Sequence, residues 1–275
     1  MYLLFLLLLI FGYFSNNYLC VAAYRLTCRI PEKKTSSSLS VVHISDLHNK
    51  TFGHDQFWLI KKIRDLHPDL IVVTGDLVDG APYRHAAVFL QQASRICPIY
   101  FVRGNHESAA GNFPSLKKVL SRYGVRVLKN CSADFCKDGY TYRITGLDDP
   151  RFRGKNKNYT ALLQKTLNQM TCRTEEPHAD YQILLTHRPE LFSLYASYPF
   201  DLVLCGHAHG GQFRLPFTDG LYAPNQGIFP KYTSGAHTQN RTTEIISRGL
   251  GNSSFPLRLF NCPQIVHIQI TINGR

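Results

Sequence analysis

Acidic side chains are scarce: 19 Asp and Glu face 31 Lys and Arg in a chain of 275 residues, leaving a formal net charge of +12. Such an excess favours anionic lipid surfaces, phosphate-bearing substrates or nucleic acid. Nucleic acid is not the expected partner, because the chain has no run of five basic residues, no zinc-finger spacing and no RNA-recognition string. It also lacks a Gly-x-Ser-x-Gly elbow and a Walker phosphate loop, which disfavours serine-hydrolase and P-loop chemistry. There is no internal repeat or low-complexity tract, and 44% apolar with 18% charged residues describes a globular chain without long disorder. The length fits one large domain.

The eight cysteines follow the spacing of neither a compact disulfide scaffold nor a zinc ribbon. Cys97 and Cys205 fall in strand-like apolar runs and read as small buried hydrophobes. Cys131 and Cys136 could pair across a short loop in an oxidising compartment. Asn-x-Ser/Thr sequons begin at Asn49, Asn130, Asn158, Asn240 and Asn252. A glycan at Asn49 would obstruct the candidate site described below, so the set is discounted.

The apolar stretch from Tyr2 to Phe14, interrupted only by Gly12, falls short of the roughly 20 residues that span a bilayer comfortably. No Lys or Arg precedes it and no Ala-x-Ala follows, unlike an ordinary signal peptide. Arg25, Arg29, Lys33 and Lys34 lie just downstream, and the positive-inside rule would hold them in the cytoplasm. The expectation is a single N-terminal membrane anchor or uncleaved signal over residues 1–16, with residues 17–275 as a catalytic domain on the cytoplasmic side. A signal-peptide core and a buried structural helix are the alternatives.

Beyond the polar segment from Pro31 to Leu39, short apolar runs alternate with helical patterns. Asp69 to Val73, Ile99 to Val102, Ile183 to Leu185 and Leu202 to Cys205 read as strands buried on both faces. Leu59, Ile63 and Leu66 share one face of a helix within Asp55 to Leu66. Further helices are expected around Leu116 to Tyr123 and Ala161 to Met170, with a strand at Tyr140 to Ile144 and a basic loop at Arg151 to Asn158. The alternation predicts an α/β fold.

Short strings follow these runs: Asp46-Leu47-His48, Gly75-Asp76-Leu77-Val78-Asp79, Gly104-Asn105-His106-Glu107, Thr186-His187 and Gly206-His207-Ala208-His209. A single sheet could deliver all of them to one edge, where ligand sites of open α/β sheets usually lie. Asp46, His48, Asp76, Asn105, His187, His207 and His209 supply oxygen and imidazole donors without a thiolate, a mixture suited to Mn, Fe or Zn. Two such cations can clamp a phosphoryl group and acidify a bound water. Singly, Asp46 could cap a helix, His187 or His207 could be an ordinary buried histidine, and Asp79 could only orient its neighbours.

In this order the strings resemble the calcineurin-like metallophosphoesterase superfamily. The resemblance implies two mixed β-sheets packed as a sandwich flanked by helices. It implies a first cation on Asp46, His48 and His209, a second on Asn105, His187 and His207, and Asp76 bridging them. His106 would stabilise the transition state or protonate the leaving oxygen. Asn17-Tyr18-Leu19, Gly206 to Gln212, Gly220-Leu221-Tyr222-Ala223-Pro224 and Ser247 to Asn252 further resemble the membrane-associated YkuE/YaeI-like branch. That branch and its relatives include phosphodiesterases and hydrolases of UDP-2,3-diacylglucosamine in lipid A synthesis.

The implied activity is attack by a metal-activated hydroxide on a phosphodiester or pyrophosphate, with two divalent ions, Mn first and Fe, Zn or Co as alternatives. A phosphate-containing, lipid-linked substrate and a membrane surface are the expected partners. Arg188, Lys231, Arg248 and Arg258 are candidate phosphate contacts, and Tyr222, Phe229 and Tyr232 could face an acyl chain or nucleobase. The alternatives are a phosphodiesterase acting on cell-wall or extracellular phosphodiesters and a non-catalytic metal-binding scaffold.

Overall fold

The computed structural model describes residues 2–33, 35–109, 113–149, 159–171, 179–214, 219–252 and 257–274. The basic segment Arg151 to Asn158 lies outside them.

Burial on alternate faces builds the layers. In β2 (Ser37–Ile44), β3 (Leu70–Thr74) and β4 (Ile99–Val102) almost every side chain is buried. Leu39, Val41, Leu70, Val72, Tyr100 and Val102 share one core cluster with a second sheet. Val42, Ile44, Ile71, Val73 and Phe101 form another with Leu59 and Ile63 of α2 (Phe57–Asp65), Phe89 and Leu90 of α3 (Arg84–Ala93), and Leu116 and Leu120 of α5 (Phe113–Arg122). The second sheet repeats the design through β7 (Tyr140–Gly146), β8 (Tyr181–Leu185) and β9 (Leu202–Cys205). Tyr142, Ile144, Ile183, Leu185, Leu202 and Leu204 meet the first sheet. Leu184, Val203 and Cys205 pack with Leu163 and Leu167 of α6 (Tyr159–Thr171) and Tyr195 of α7 (Phe192–Tyr195).

The first sheet has the order β1 (Cys20–Arg29), β14 (Gln264–Asn273), β2, β3, β4 and β5 (Arg126–Val127). The second runs β12 (Gly235–Gln239), β13 (Thr242–Ile246), β9, β8, β7 and β6 (Cys131–Lys137). Both are mixed, because β14 is antiparallel to β2, and β6 and β12 run antiparallel to their neighbours in an otherwise parallel sheet. This is an α/β sandwich of two mixed sheets flanked by helices.

Delivery of every string by a single sheet does not hold. Asp46, Asp76 and Asn105 follow β2, β3 and β4, whereas His187 and His207 follow β8 and β9 of the other sheet. An apolar run buried on both faces carries no mark of which sheet it joins.

The expected N-terminal anchor is also corrected. Helix α1 (Tyr2–Asn17) has 16 residues, about 24 Å at 1.5 Å per residue, short of a hydrocarbon core of about 30 Å. Among the described residues no helix is long and apolar enough to cross a membrane. Arg25 and Arg29 lie on the exposed face of β1, paired in register with β14. A positive-inside argument for a cytoplasmic catalytic domain therefore loses its span. The cysteines differ too: Cys131 and Cys136 are free, and a disulfide joins Cys20 of β1 to Cys262, just before β14.

Candidate metal centre

The ends of β2, β3 and β4 meet those of β8 and β9, and their loops are forced into tight turns. Asp46, His48, Asp76, His207 and His209 all have positive φ, between 48° and 67°. Side chains larger than glycine rarely adopt this backbone, and such strain concentrates at functional sites. Gly206 lets two of these turns touch: a Cβ there would lie 1.8 Å from Ser45 Oγ and 2.3 Å from Asp46 Oδ2.

Two groups of donors converge. Asp46, His48 and His209 form one, and Asp76, His187 and His207 the other, all buried. Asn105 joins the second, its Oδ1 lying 3.1 Å from His187 Nε2. Asp76 Oδ2 lies 3.1 Å from His187 Nε2 and 3.9 Å from His48 Nε2, facing both groups. Sequence positions 161 residues apart therefore share one centre, with His48 Nε2 and His209 Nε2 only 3.2 Å from each other.

That last contact tests the fit of a cation. Two neutral imidazole nitrogens that face each other at hydrogen-bond distance need one to carry the proton, while Asp46 Oδ1 adds a third electron-rich atom 3.5 Å from His209 Nε2. A buried set of nitrogen lone pairs and carboxylate oxygens aimed at one point fits a divalent ion. The oxygen and imidazole chemistry fits borderline metals in particular.

Electrostatics distinguish the ligands. Burial disfavours the imidazolium of His187, but the carboxylates of Asp76 and Asp46 outweigh it and push its pKa up to about 10. Burial likewise opposes the charge of Asp76, yet His187 holds that carboxyl well below the usual range. His209 is instead kept neutral chiefly by burial. The raised His187 pKa means that, without metal, its ring holds a proton at neutral pH, and a cation must displace it. Loading the second group is therefore expected to release a proton, and apparent affinity to rise with pH as that proton becomes easier to remove. Mn titrations by calorimetry in buffers of different ionisation enthalpy, over pH 6–8.5, check both points.

His106 stands at the rim in the short helix α4 (Asn105–Ala109), with its side chain 40% exposed. Its Nδ1 lies 2.9 Å from Asp79 Oδ1, and its Nε2 lies 3.9 Å from Asp76 Oδ2. The hydrogen bond to Asp79, followed by nearby carboxylate charge, raises the His106 pKa against the effect of burial. Asp79 also bonds His48 Nδ1, so it orients two imidazoles.

Glu107 was not singled out from sequence, although it ends the Gly104 to Glu107 string. It is buried, and its Oε2 accepts from the amides of Asp76 at 2.9 Å and Gly104 at 2.8 Å, while Oε1 accepts from Leu77 at 2.7 Å. One carboxylate thus ties the β3 and β4 loops together. Glu107→Ala would leave these amides without that partner, and is expected to cost on the order of 3 kcal/mol of stability, measured by urea unfolding of the metal-free protein.

The candidate phosphate contacts divide. Arg188 is buried with Nε 2.7 Å from Asp149 Oδ2, Nη2 3.3 Å from Asp149 Oδ1 and Nη1 3.3 Å from Glu190 Oε1. Its fork is committed to carboxylates beneath the site. Arg258 is buried and donates to the carbonyls of Gly251, Arg248 and Asn261, with Nη2 3.5 Å from His209 Nδ1. Arg248 is half-buried, with its alkyl stem beside Gly210, and Lys231 is exposed, with Nζ 5.0 Å from the Tyr232 ring centroid. Two of the four cations, Arg188 and Arg258, thus have guanidinium N–H groups engaged by carboxylates and backbone carbonyls.

Comparison with known proteins agrees with this geometry. The profile described as Calcineurin-like phosphoesterase matches residues 39–211, which contain every converging ligand. The chain belongs to the calcineurin-like phosphoesterase family. This makes it a metal-dependent phosphoesterase by class, with a phosphate-containing substrate. It is 29% identical over 232 residues to the uncharacterized metallophosphoesterase YkuE of Bacillus subtilis, covering 82% of this chain and 76% of that protein. With the uncharacterized metallophosphoesterase YkoQ of the same organism it shares 27% over 250 residues, covering 88% and 86%. The NAD nucleotidase NadN of Haemophilus influenzae superposes with a TM-score of 0.51 at 17% identity, over 78% of this phosphoesterase and 46% of that chain. A 5'-nucleotidase precursor from Thermus thermophilus gives 0.50 at 16%, over 78% and 49%. The phosphoesterase thus spans about half the length of those nucleotidases and shares their fold.

Proposed function

We propose that the protein is a dinuclear phosphohydrolase that cleaves a phosphodiester or pyrophosphate carrying an apolar, lipid-linked group, with UDP-2,3-diacylglucosamine as the candidate substrate. The observation that carries this reading is the convergence of seven ligand-type side chains beside a half-exposed His106 held by Asp79. Two cations held there would supply charge to neutralise phosphoryl oxygens and lower the pKa of a bound water; the mixed oxygen and imidazole donors accommodate Mn, Fe, Zn or Co. Asp76 faces both positions, Asn105 completes the second, and His106 presents Nε2 to the leaving oxygen.

Support for an apolar substrate group comes from two grooves flanking α1. One, of about 570 Å³, is lined by Tyr13, Phe14, Tyr18, Phe52 and Trp58; the other, of about 680 Å³, by Phe11, Tyr13, Leu257, Leu259 and Phe260. Both adjoin the metal loops. Lys50, two residues beyond His48, bonds the Asn16 carbonyl at the end of α1, while Leu257 and Leu259 flank Arg258 beside His209.

A second reading, hydrolysis of cell-wall or other extracellular phosphodiesters, is favoured by the Cys20–Cys262 disulfide, since such bonds persist mainly in oxidising compartments. Mn-loaded protein would be assayed on UDP-2,3-diacylglucosamine beside bis-p-nitrophenyl phosphate. Release of UMP and the lipid phosphate supports the first reading. Turnover of the model diester alone favours the second, and inactivity on both, with two cations bound, counts against hydrolysis of either bond type.

A further inference from the structure

Three imidazoles of the centre share a pattern. In each, one ring nitrogen is held by a partner outside the ligand set. His48 Nδ1 is held by Asp79, leaving Nε2 for the centre. His187 Nδ1 lies 2.7 Å from the Thr74 carbonyl, leaving Nε2 near Asp76 and Asn105. For His207 the held atom is reversed: Nε2 lies 2.9 Å from Asn225 Nδ2. A ligating histidine normally donates its other N–H to an oxygen, which fixes tautomer and ring orientation.

Asn225 reaches this position on a clamped hairpin. It lies between β10 (Tyr222–Ala223) and β11 (Gly227–Ile228), with φ at 62°. The hairpin is seated on the turn that follows His209: the Leu221 amide donates to the carbonyls of Gly211 at 3.1 Å and Phe213 at 2.9 Å. Gly211 and Gly220 meet so closely that a Cβ on either would lie 2.2 Å from the other's Cα. Beyond Asn225, Gln226 brackets the Tyr232 backbone, donating Nε2 to its carbonyl at 2.7 Å and accepting its amide at 2.9 Å. The Asn225 side chain is therefore placed by backbone contacts on both sides.

We infer that Asn225 is a positioning residue for the second cation: with its carboxamide turned over, so that Oδ1 takes the place of Nδ2 beside the ring, it accepts the Nε2 proton of His207 and so keeps Nδ1 for the metal. Oxygen and nitrogen of an amide are interchangeable in shape, and the hydrogen-bond partner decides which one faces the ring. An oxygen acceptor fixes His207 as the Nε2–H tautomer, in which Nδ1 carries a lone pair. The same hairpin exposes Tyr222, Ile228 and Phe229, with Ile228 and Phe229 74% and 78% accessible.

The inference rests on the two-cation reading, and the test separates their failures. Metal-free protein and its Asn225→Leu and Asn225→Asp variants are titrated with Mn by calorimetry and with Co by visible absorption, after circular dichroism establishes that each variant is folded. Expected are two sites in the parent, a second-site affinity about 10–100-fold weaker in Asn225→Leu, an unchanged first site, and recovery in Asn225→Asp, whose carboxylate still accepts from Nε2. A parent that binds one ion overturns the two-cation reading itself. A two-ion parent with Asn225→Leu unchanged, or with Asn225→Asp as weak as Asn225→Leu, overturns the role of Asn225. A folding failure of Asn225→Leu leaves the Asp comparison to decide, because an oxygen acceptor predicts retained second-site binding and an amide donor predicts its loss.

Discussion

Asp76→Asn is expected to lower kcat/KM by about 10³-fold or more. A cation contributes several kcal/mol of transition-state charge stabilisation, and each 1.36 kcal/mol is tenfold in rate. Asp76 is the carboxylate whose Oδ2 faces both donor groups, 3.1 Å from His187 Nε2 and 3.9 Å from His48 Nε2. Its Oδ1 accepts the His106 amide at 2.8 Å. The carboxamide keeps size and one acceptor, so the loop tied by Glu107 should persist while the charge facing both donor groups disappears. Metal analysis is expected to fall below two ions per chain and the Mn concentration for half-maximal activity to rise. Two tightly held ions and parental turnover in this variant would remove Asp76 from the bridging role.

Much of this centre was legible because its residues cluster in short strings at the ends of apolar runs. Asp46, His48, Asp76, Asn105, His187, His207 and His209 all meet within it. Asp79, read from the sequence only as a group that could orient its neighbours, holds two rings, whereas the signal of Glu107 in the same strings was overlooked: a carboxylate two residues beyond a ligand can turn back onto loop amides. Thr74 and Asn225 carried no comparable signal. Thr74 acts through its backbone carbonyl, and Asn225 comes from a hairpin 18 residues beyond His207. Arg188 illustrates the opposite error, since adjacency to His187 suggested a phosphate contact while the side chain folds down onto Asp149 and Glu190.

The architecture was legible in part for a related reason. Period and length identified β3, β4, β8 and β9, but continuous apolarity is the same for a strand of either sheet. Strand β14 pairs in parallel with β1 and antiparallel with β2, contacts set more than two hundred residues apart along the chain. The Cys20–Cys262 pairing follows from that alignment, with Cys20 beside Gln264 in register. Cysteine spacing carries no trace of it. The leucine-rich N-terminus misled because hydropathy and the basic residues downstream outweighed a length already short of a span, and the helix that forms has only 16 residues.

His106→Ala is expected to lower kcat by about 10²–10⁴-fold, the usual contribution of a positioned proton donor. KM and the binding of two cations should change little, because His106 belongs to neither of the two fully buried donor groups, only to a part-exposed one with His48 and Asp79, and its side chain is 40% exposed. The pH profile tests whether the ring acts as an acid. Donation from Nε2 while Nδ1 stays bonded to Asp79 requires the imidazolium, so activity is present below the His106 pKa and is lost as pH rises through it. Asp79 is the largest cause holding that pKa above its ordinary value. Asp79→Asn should therefore move the alkaline limb of kcat to lower pH, and His106→Ala should erase it. A substrate with a leaving group that needs no proton, such as p-nitrophenolate, should lose less activity in His106→Ala than an alkyl ester does. Equal losses on both esters, with the limb unmoved in Asp79→Asn, would assign His106 to electrostatic stabilisation of the phosphoryl group rather than to proton transfer.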